Sequence, residues 1–242
     1  MILPSTTATA AKHQAADVAL LPIGSFEQHG AHLPLATDSL IAGLIAERIA
    51  SAYDLLLLPT IPISCSHEHE GLLAGTTSIR ASTLYTLVND IADSLERQGI
   101  HRLALISGHG GNYVLSNVAQ EASASRTRRM LVYPSSADWN AARTAAGCEL
   151  TASEDMHAGE GETSILLHAA PSQVGDYKRA DHRADHRPDL LLHGVEAYAP
   201  NGVIGQPSLA SAEKGRSLLD ALTNQFAARL EQLRAAPIGH ST

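Results

Sequence analysis

Cysteine is nearly absent from this 242-residue chain: Cys65 and Cys148 are too few for a disulfide framework and lack the spacing of a metal finger. Aromatic residues make up only 4%, so the core has to rest on Leu, Ile, Val and Ala. No apolar run approaches the roughly 18 residues a membrane span needs. The segment Met1 to Gln14 is rich in Thr and Ala and holds no apolar stretch of signal-peptide length. A cytoplasmic location is therefore the expectation. Basic charge is scarce as well. With 17 Lys and Arg against 25 Asp and Glu, the net charge of −8 favours neither nucleic acid nor an anionic membrane as partner.

Histidine is abundant, at 13 residues. Neutral imidazole is a common metal ligand, which justifies a search for a site. The length suits one α/β domain. Short apolar runs alternate with helical periodicity: strands are expected at Val18–Ile23, Leu55–Ile63, Leu103–Ser107 and Met130–Tyr133. Helices are expected over Ser39–Tyr53, Ser82–Gln98, Tyr113–Ala124, Glu162–His168 and Ala212–Leu233. This alternation predicts a single α/β domain (17–234) with a mostly parallel sheet covered by helices on both faces. Residues 1–16 read as a flexible N-terminal tail and 235–242 as a C-terminal tail. In such sheets ligands bind at the carboxyl ends of the strands, so the loops Gly24–Asp38, Ser64–Ser78 and Ser107–Asn112 should converge on one edge.

Those loops carry the chemistry. The first places Glu27, His29, His32 and Asp38 within twelve residues after a strand, a mixture of N and O donors suited to a divalent cation. Glu27 and His29 share one side of an extended segment. Asp38 either joins the same centre or is only a helix N-cap. His109, set between glycines in Ser107–Asn112, has little core-packing logic and reads as a ligand or catalytic group. In Asp155–Ser164, Glu162 reads as a metal ligand or a first-turn residue stabilised by the helix dipole, and His157 as a general acid or base. His67 and His69 share one side of the Ser64–Gly71 segment; with the turn to Ser78, His69 reads as a substrate-facing wall or a plain polar loop.

The strings LPIGSFEQHGAHLPLATD, EHEGLLAGTTS, SGHGGN, HAGEGETS and GVIGQPSLASAEKGR occur in an order that resembles the creatininase family of amidohydrolases, from about Leu20 to Leu233. That resemblance implies a creatininase-like fold and a metal centre, often dinuclear, at the strand ends. It implies ligands Glu27, His29, Asp38 (bridging) and His109, a catalytic His157, and a homo-oligomer, commonly a hexamer. Family members cleave small amides: creatinine, a formamido-pyrimidine of deazaflavin biosynthesis, and a terminal dipeptide in mycofactocin maturation. Two departures stand out. Creatininase proper has a glutamate, a ligand of its second metal, where this chain has Gly111; Glu162 is the candidate replacement. Leu73-Ala74 also stands where many relatives have Phe-Pro, and the pattern looks closer to the mycofactocin-peptidase and deformylase branches.

The expected function is hydrolysis of a small amide or short peptide by water activated on one or two divalent ions (Zn2+, Mn2+ or Fe2+). His157 serves the leaving nitrogen, and His69, Ser78, Gly110, Gly111 and Asn112 bind substrate, the Gly110 and Gly111 amides polarising its carbonyl. The alternatives are a metal-assisted hydrolase of a non-amide bond, such as a carbocyclic ketone, and a non-catalytic metal- or ligand-binding protein.

Overall fold

Period-two alternation along strand β1 (Ala19–Ile23) sends side chains into two separate cores, and every residue of it is buried. Leu20 enters one cluster, while Ala19, Leu21 and Ile23 enter the other. Strand β3 (Arg102–Ser107) repeats the pattern, with Ala104 and Ile106 on one face and Leu103 and Leu105 on the other. A strand buried on both faces needs helices on both. Each fully buried Leu or Ile contributes roughly 1.5–3 kcal/mol. The first face is covered by α2 (Thr37–Tyr53), α5 (Ser136–Ala145), α6 (Glu160–Ala169) and α8 (Ala212–Ala235); the second by α3 (Ala81–Glu96) and α4 (Val114–Ala124).

The computed structural model describes residues 3–71 and 74–239. It is a single-domain α/β fold whose sheet, among these residues, has four parallel strands in the order β2-β1-β3-β4, with β2 at Leu56–Leu57 and β4 at Arg129–Tyr133. The expected strand Leu55–Ile63 is reduced to those two residues and an isolated bridge between Ile23 and Ile61. Pro59 and Pro62 explain the difference, because proline has no N–H to give a ladder. Helix α5 was not expected, although Ser135 and Asp138 form a capping box that marks its start. A four-residue helix, α7 (Leu190–His193), was not expected either. The segment expected as a flexible N-terminal tail carries α1 (Ala8–Gln14), which has no buried residue. At the other end α8 reaches Ala235, within the segment expected as a tail. Residues 240–242 and Leu73 lie outside the described residues. No helix among the described residues is long and apolar enough to cross a membrane.

The sheet register positions the site. Ile23 and Ser107 are paired at the ends of β1 and β3, and Gly108 N–H donates to Ile23 O at 2.9 Å, so the two loops leave the sheet side by side. Both press on the start of α2. A β-carbon at Gly24 would overlap the backbone of Ser39, and one at Gly108 would overlap Asp38 O. Glycine is required here for close approach.

Candidate metal centre

Asp38 sits in the first turn of α2, whose N-cap is Ala36 with no side-chain cap bond. The N-cap reading of Asp38 therefore fails. Its buried carboxylate instead accepts from Ser25 Oγ at 2.7 Å and turns one oxygen to each of two histidines: Oδ1 lies 3.0 Å from His29 Nε2 and Oδ2 lies 3.1 Å from His109 Nδ1. Glu27 Oε1 is 3.2 Å from His109 Nδ1, 3.4 Å from His69 Nε2 and 3.7 Å from His157 Nδ1. Glu162 Oε2 is 3.8 Å from His29 Nε2. The expected ligands Glu27, His29, Asp38, His109 and Glu162 and the expected catalytic His157 thus meet in one cluster, although they come from segments up to 135 residues apart in sequence.

Two features fit this cluster to a divalent cation. Both carboxylate oxygens of Glu27 are buried without a well-formed hydrogen bond, the nearest imidazole nitrogen being His109 Nδ1 at 3.2 Å. With His109 neutral the ionised carboxylate has no counter-charge, a state that costs several kcal/mol unless a cation is bound. The donors also fall into groups whose ligand atoms lie within 4.8 Å of one another: Glu27, Asp38 and His109; His29, Asp38 and Glu162; and Glu27, His29 and His157. The first two share Asp38, as a bridging carboxylate would. Three of the imidazoles are oriented by carbonyls behind them. His29 Nδ1 donates to Glu27 O at 3.1 Å, His109 Nε2 to Cys65 O at 2.9 Å, and His157 Nε2 to Gln28 O at 2.6 Å. Such contacts fix which nitrogen faces a metal.

The electrostatics follow from burial and neighbours. For His29, burial opposes the charge, but the charge and hydrogen bond of Asp38, helped by Glu162 and Glu27, raise it to about 10. His109 is raised well above its ordinary value against the same burial penalty by Glu27 and Asp38. Burial lowers His69 to about 4 and carries His157 well below the ordinary range, the latter with help from His29 and His69. Burial raises Glu162 to about 8.

The remaining residues separate into site and scaffold. His69 lies in a short 3-10 turn (His67–His69) against Glu27, with its ring centroid 4.2 Å from that of His157. Ser78 Oγ accepts from Ser66 N at 2.8 Å and faces His67. Asn112 is buried, its side chain bonded to Gly24 O and Cys65 N. These contacts tie loop to loop. His32 does the same, its Nε2 lying near Ala158 O and Thr163 Oγ1. At Gly110 an added β-carbon would meet nothing within 4 Å, so this position opens outward. In the third string, Asp155 accepts from the Glu160 and Gly161 amides and pairs with Arg143 at 2.8 Å, while Glu160 pairs with Lys214. Both are scaffold. A cavity of about 460 Å³ opens beside the centre, lined by Glu68, Gly111, Tyr113 and Leu191 among others. Glu68, whose Oε1 is 3.6 Å from His109 Nε2, was not singled out in the sequence; its adjacency to His69 was the available signal.

A family model for creatininase (creatinine amidohydrolase) matches residues 4–230. Over 236 residues the chain is 34% identical to the mycofactocin precursor peptide peptidase of Mycobacterium ulcerans (strain Agy99), covering 92% of this chain and 88% of the relative. It is 27% identical over 232 residues to the creatinine amidohydrolase of Pseudomonas putida, covering 87% of each. The solved structure described as "Creatininase Mn" superposes with a TM-score of 0.77 at 26% identity, covering 92% of this chain and 95% of that one.

Proposed function

From the premise that the chain belongs to the creatininase family, hydrolases acting on amide bonds, we propose that it is a metal-dependent peptidase-like amidohydrolase that cleaves an amide bond of a short peptide. The identity to a precursor peptide peptidase supports a peptide over a cyclic amide. The observation that carries the metal-dependent reading is the unpartnered carboxylate of Glu27 inside a buried cluster of histidines. Glu27, Asp38 and His109 would hold one ion, and His29, Asp38 and Glu162 a second; zinc, manganese and iron all suit these donors. When bound, such ions polarise a carbonyl and lower the pKa of water from 15.7 to roughly 7.

The protein's own groups handle the protons. His157 commits its Nε2–H to Gln28 O at 2.6 Å and is kept neutral by burial, so Nδ1 turns a bare lone pair toward the Glu27 side of the centre. In the proposed reaction this nitrogen takes a proton from the attacking water and returns it to the leaving nitrogen, because an amide anion leaves poorly. The backbone N–H groups of Gly110 and Gly111, beside His109, are the proposed donors to the carbonyl oxygen. His69 forms the wall of the same centre. We place Ser78 and Asn112 behind it as supports, given their contacts with the loops. A closed homo-oligomer, a hexamer by family resemblance, and a cytoplasmic location complete the proposal; sedimentation at micromolar concentration tests the first.

The deciding experiment is product analysis by mass spectrometry of short peptides, formamides and creatinine incubated with metal-loaded protein, since ring-opening of creatinine gives a single product and releases no amine. Peptide cleavage with release of a new amino terminus is expected. Creatinine cleavage without peptide cleavage would reject the peptide reading. His157→Ala is expected to lower turnover by about 10² to 10⁴ with metal content unchanged; near-normal turnover would reject its role.

A further inference from the structure

Four imidazoles crowd the centre, and three of them are anchored in one way. His29, His109 and His157 each donate an N–H to a backbone carbonyl, at Glu27 O, Cys65 O and Gln28 O. A carbonyl oxygen only accepts, so in the neutral ring the nitrogen facing the cluster is a bare lone pair. That is what a ligand or a base requires. His69 is anchored differently: its Nδ1 lies 3.0 Å from Nε2 of the Gln28 side chain, which also stands 3.2 Å from His157 Nε2, a nitrogen whose proton is already given to Gln28 O.

The orientation of that amide is set from its other end. Gln28 Oε1 accepts from Gly30 N–H at 3.1 Å, and the opposite orientation would turn the NH2 group onto that N–H. An NH2 group only donates, so His69 Nδ1 accepts and the ring proton is on Nε2, 3.4 Å from Glu27 Oε1. The amide has room because Gly202, at φ 73°, carries no side chain; a β-carbon there would overlap Gln28 Oε1. This gives the string beginning at Gly202 a place at the site.

We propose that Gln28 is a positioning residue that fixes His69 in the Nε2–H tautomer, so that once His29, His109 and His157 are neutral, as metal loading requires, His69 alone among the four histidines presents a hydrogen-bond donor to the centre, facing Glu27 Oε1. One residue then sets two opposite polarities: the Gln28 backbone carbonyl leaves His157 a lone pair, and its side-chain amide leaves His69 an N–H. Their ring centroids are 4.2 Å apart, so an acceptor and a donor stand side by side over Glu27. The arrangement holds whichever bond the centre cleaves, and its test needs no substrate.

The test is the ¹⁵N spectrum of imidazole-labelled protein, metal-free and zinc-loaded, with the His69 signals assigned through His69→Gln. Wild-type His69 is expected as the Nε2–H tautomer in both states. In Gln28→Glu the carboxylate keeps the size but only accepts. The proton should move to Nδ1, and zinc affinity should fall about 10- to 100-fold, the usual effect of losing a group that orients a ligand. Gln28→Met, which can neither donate nor accept strongly, should leave His69 with mixed tautomers; this variant and the wild-type spectrum decide the matter if Gln28→Glu does not fold. An Nδ1–H tautomer in the wild type, an unchanged tautomer in both variants, or a switched tautomer with undiminished zinc affinity would each overturn the proposal.

Discussion

Glu68 carries its carboxylate into the space that a side chain at Gly111 would take: a β-carbon built there would overlap Glu68 Oε1 and His109 Nε2. The family resemblance leads one to expect a glutamate at this position; this chain has Gly111, and the Glu68 carboxylate fills the space beside it. Burial raises the pKa of Glu68, partly offset by His109. Gly111→Ala is expected to displace Glu68 outward and to push His109 off Glu27 and Asp38, weakening metal binding about 10- to 100-fold. Adding Glu68→Ala removes one of the two obstacles and should recover part of the loss. Metal affinities of the single and double variants check this; an unaffected Gly111→Ala would show that the loops yield freely.

Stability of the metal-free protein should fall as pH rises from 7 to 10. His29 is raised to about 10 from an ordinary 6.5. Its contribution is thus full below 6.5 and lost as pH climbs through about 10. Glu162, raised to about 8 from 4.5 mainly by burial, retains a proton in the folded state that the unfolded chain has already lost, so its term falls over the lower part of the same range. The two slopes share a sign. Thermal melts of chelator-treated protein should show Tm declining across the range, and His29→Gln should flatten the decline. Because the ligands must shed these protons to coordinate, zinc loading at pH 7 should also release protons, measurable by titration in two buffers of different ionisation enthalpy. A flat or rising Tm, or loading without proton release, would contradict the assignment.

The layout of the centre was legible because each donor-bearing loop follows an apolar run and precedes helical periodicity. Glu27, His29, Asp38 and His109 had to meet once β1 and β3 paired, and the Ile23–Ser107 register brings their loops together. What was not legible depends on partners far away in sequence. Asp155 and Glu160 look like site carboxylates until Arg143 and Lys214 are seen to engage them. Gln28 carries no signal of its own between Glu27 and His29, since only the fold brings His69 to its amide. The short β2 and the unanticipated α5 were failures of reading rather than of information: Pro59, Pro62 and the Ser135 capping box were all in view.

Asp155 offers a control that separates scaffold from centre. Its buried carboxylate accepts from the amides of Glu160, Gly161 and Gln206 and pairs with Arg143. Removing one partner of such a pair costs roughly 3–5 kcal/mol. Asp155→Ala should lose stability of that order in urea unfolding while folded molecules keep the wild-type metal content. A variant of normal stability with lost metal would place Asp155 in the centre instead.

The shared carboxylate predicts a pattern of metal stoichiometries that no single substitution tests alone. Glu27 belongs with Asp38 and His109, and Glu162 with His29 and Asp38. Glu27→Gln should remove the first ion and Glu162→Gln the second, each lowering bound metal by about half relative to a two-ion wild type. The amide keeps the size and one oxygen of the side chain while losing its charge, so lost metal reports coordination rather than packing. Asp38→Ala takes a ligand from both groups, and bound metal should fall close to zero although α2 keeps its start, because its N-cap is Ala36. Elemental analysis of the three purified variants, with circular dichroism to confirm the fold, gives the comparison. Full metal content in Asp38→Ala would end the bridging role. Equal losses in all three would point to one ion held jointly, and a wild type carrying a single ion retained by Glu162→Gln would assign Glu162 to the start of α6, where its carboxylate already accepts from Ala158 N at 2.6 Å.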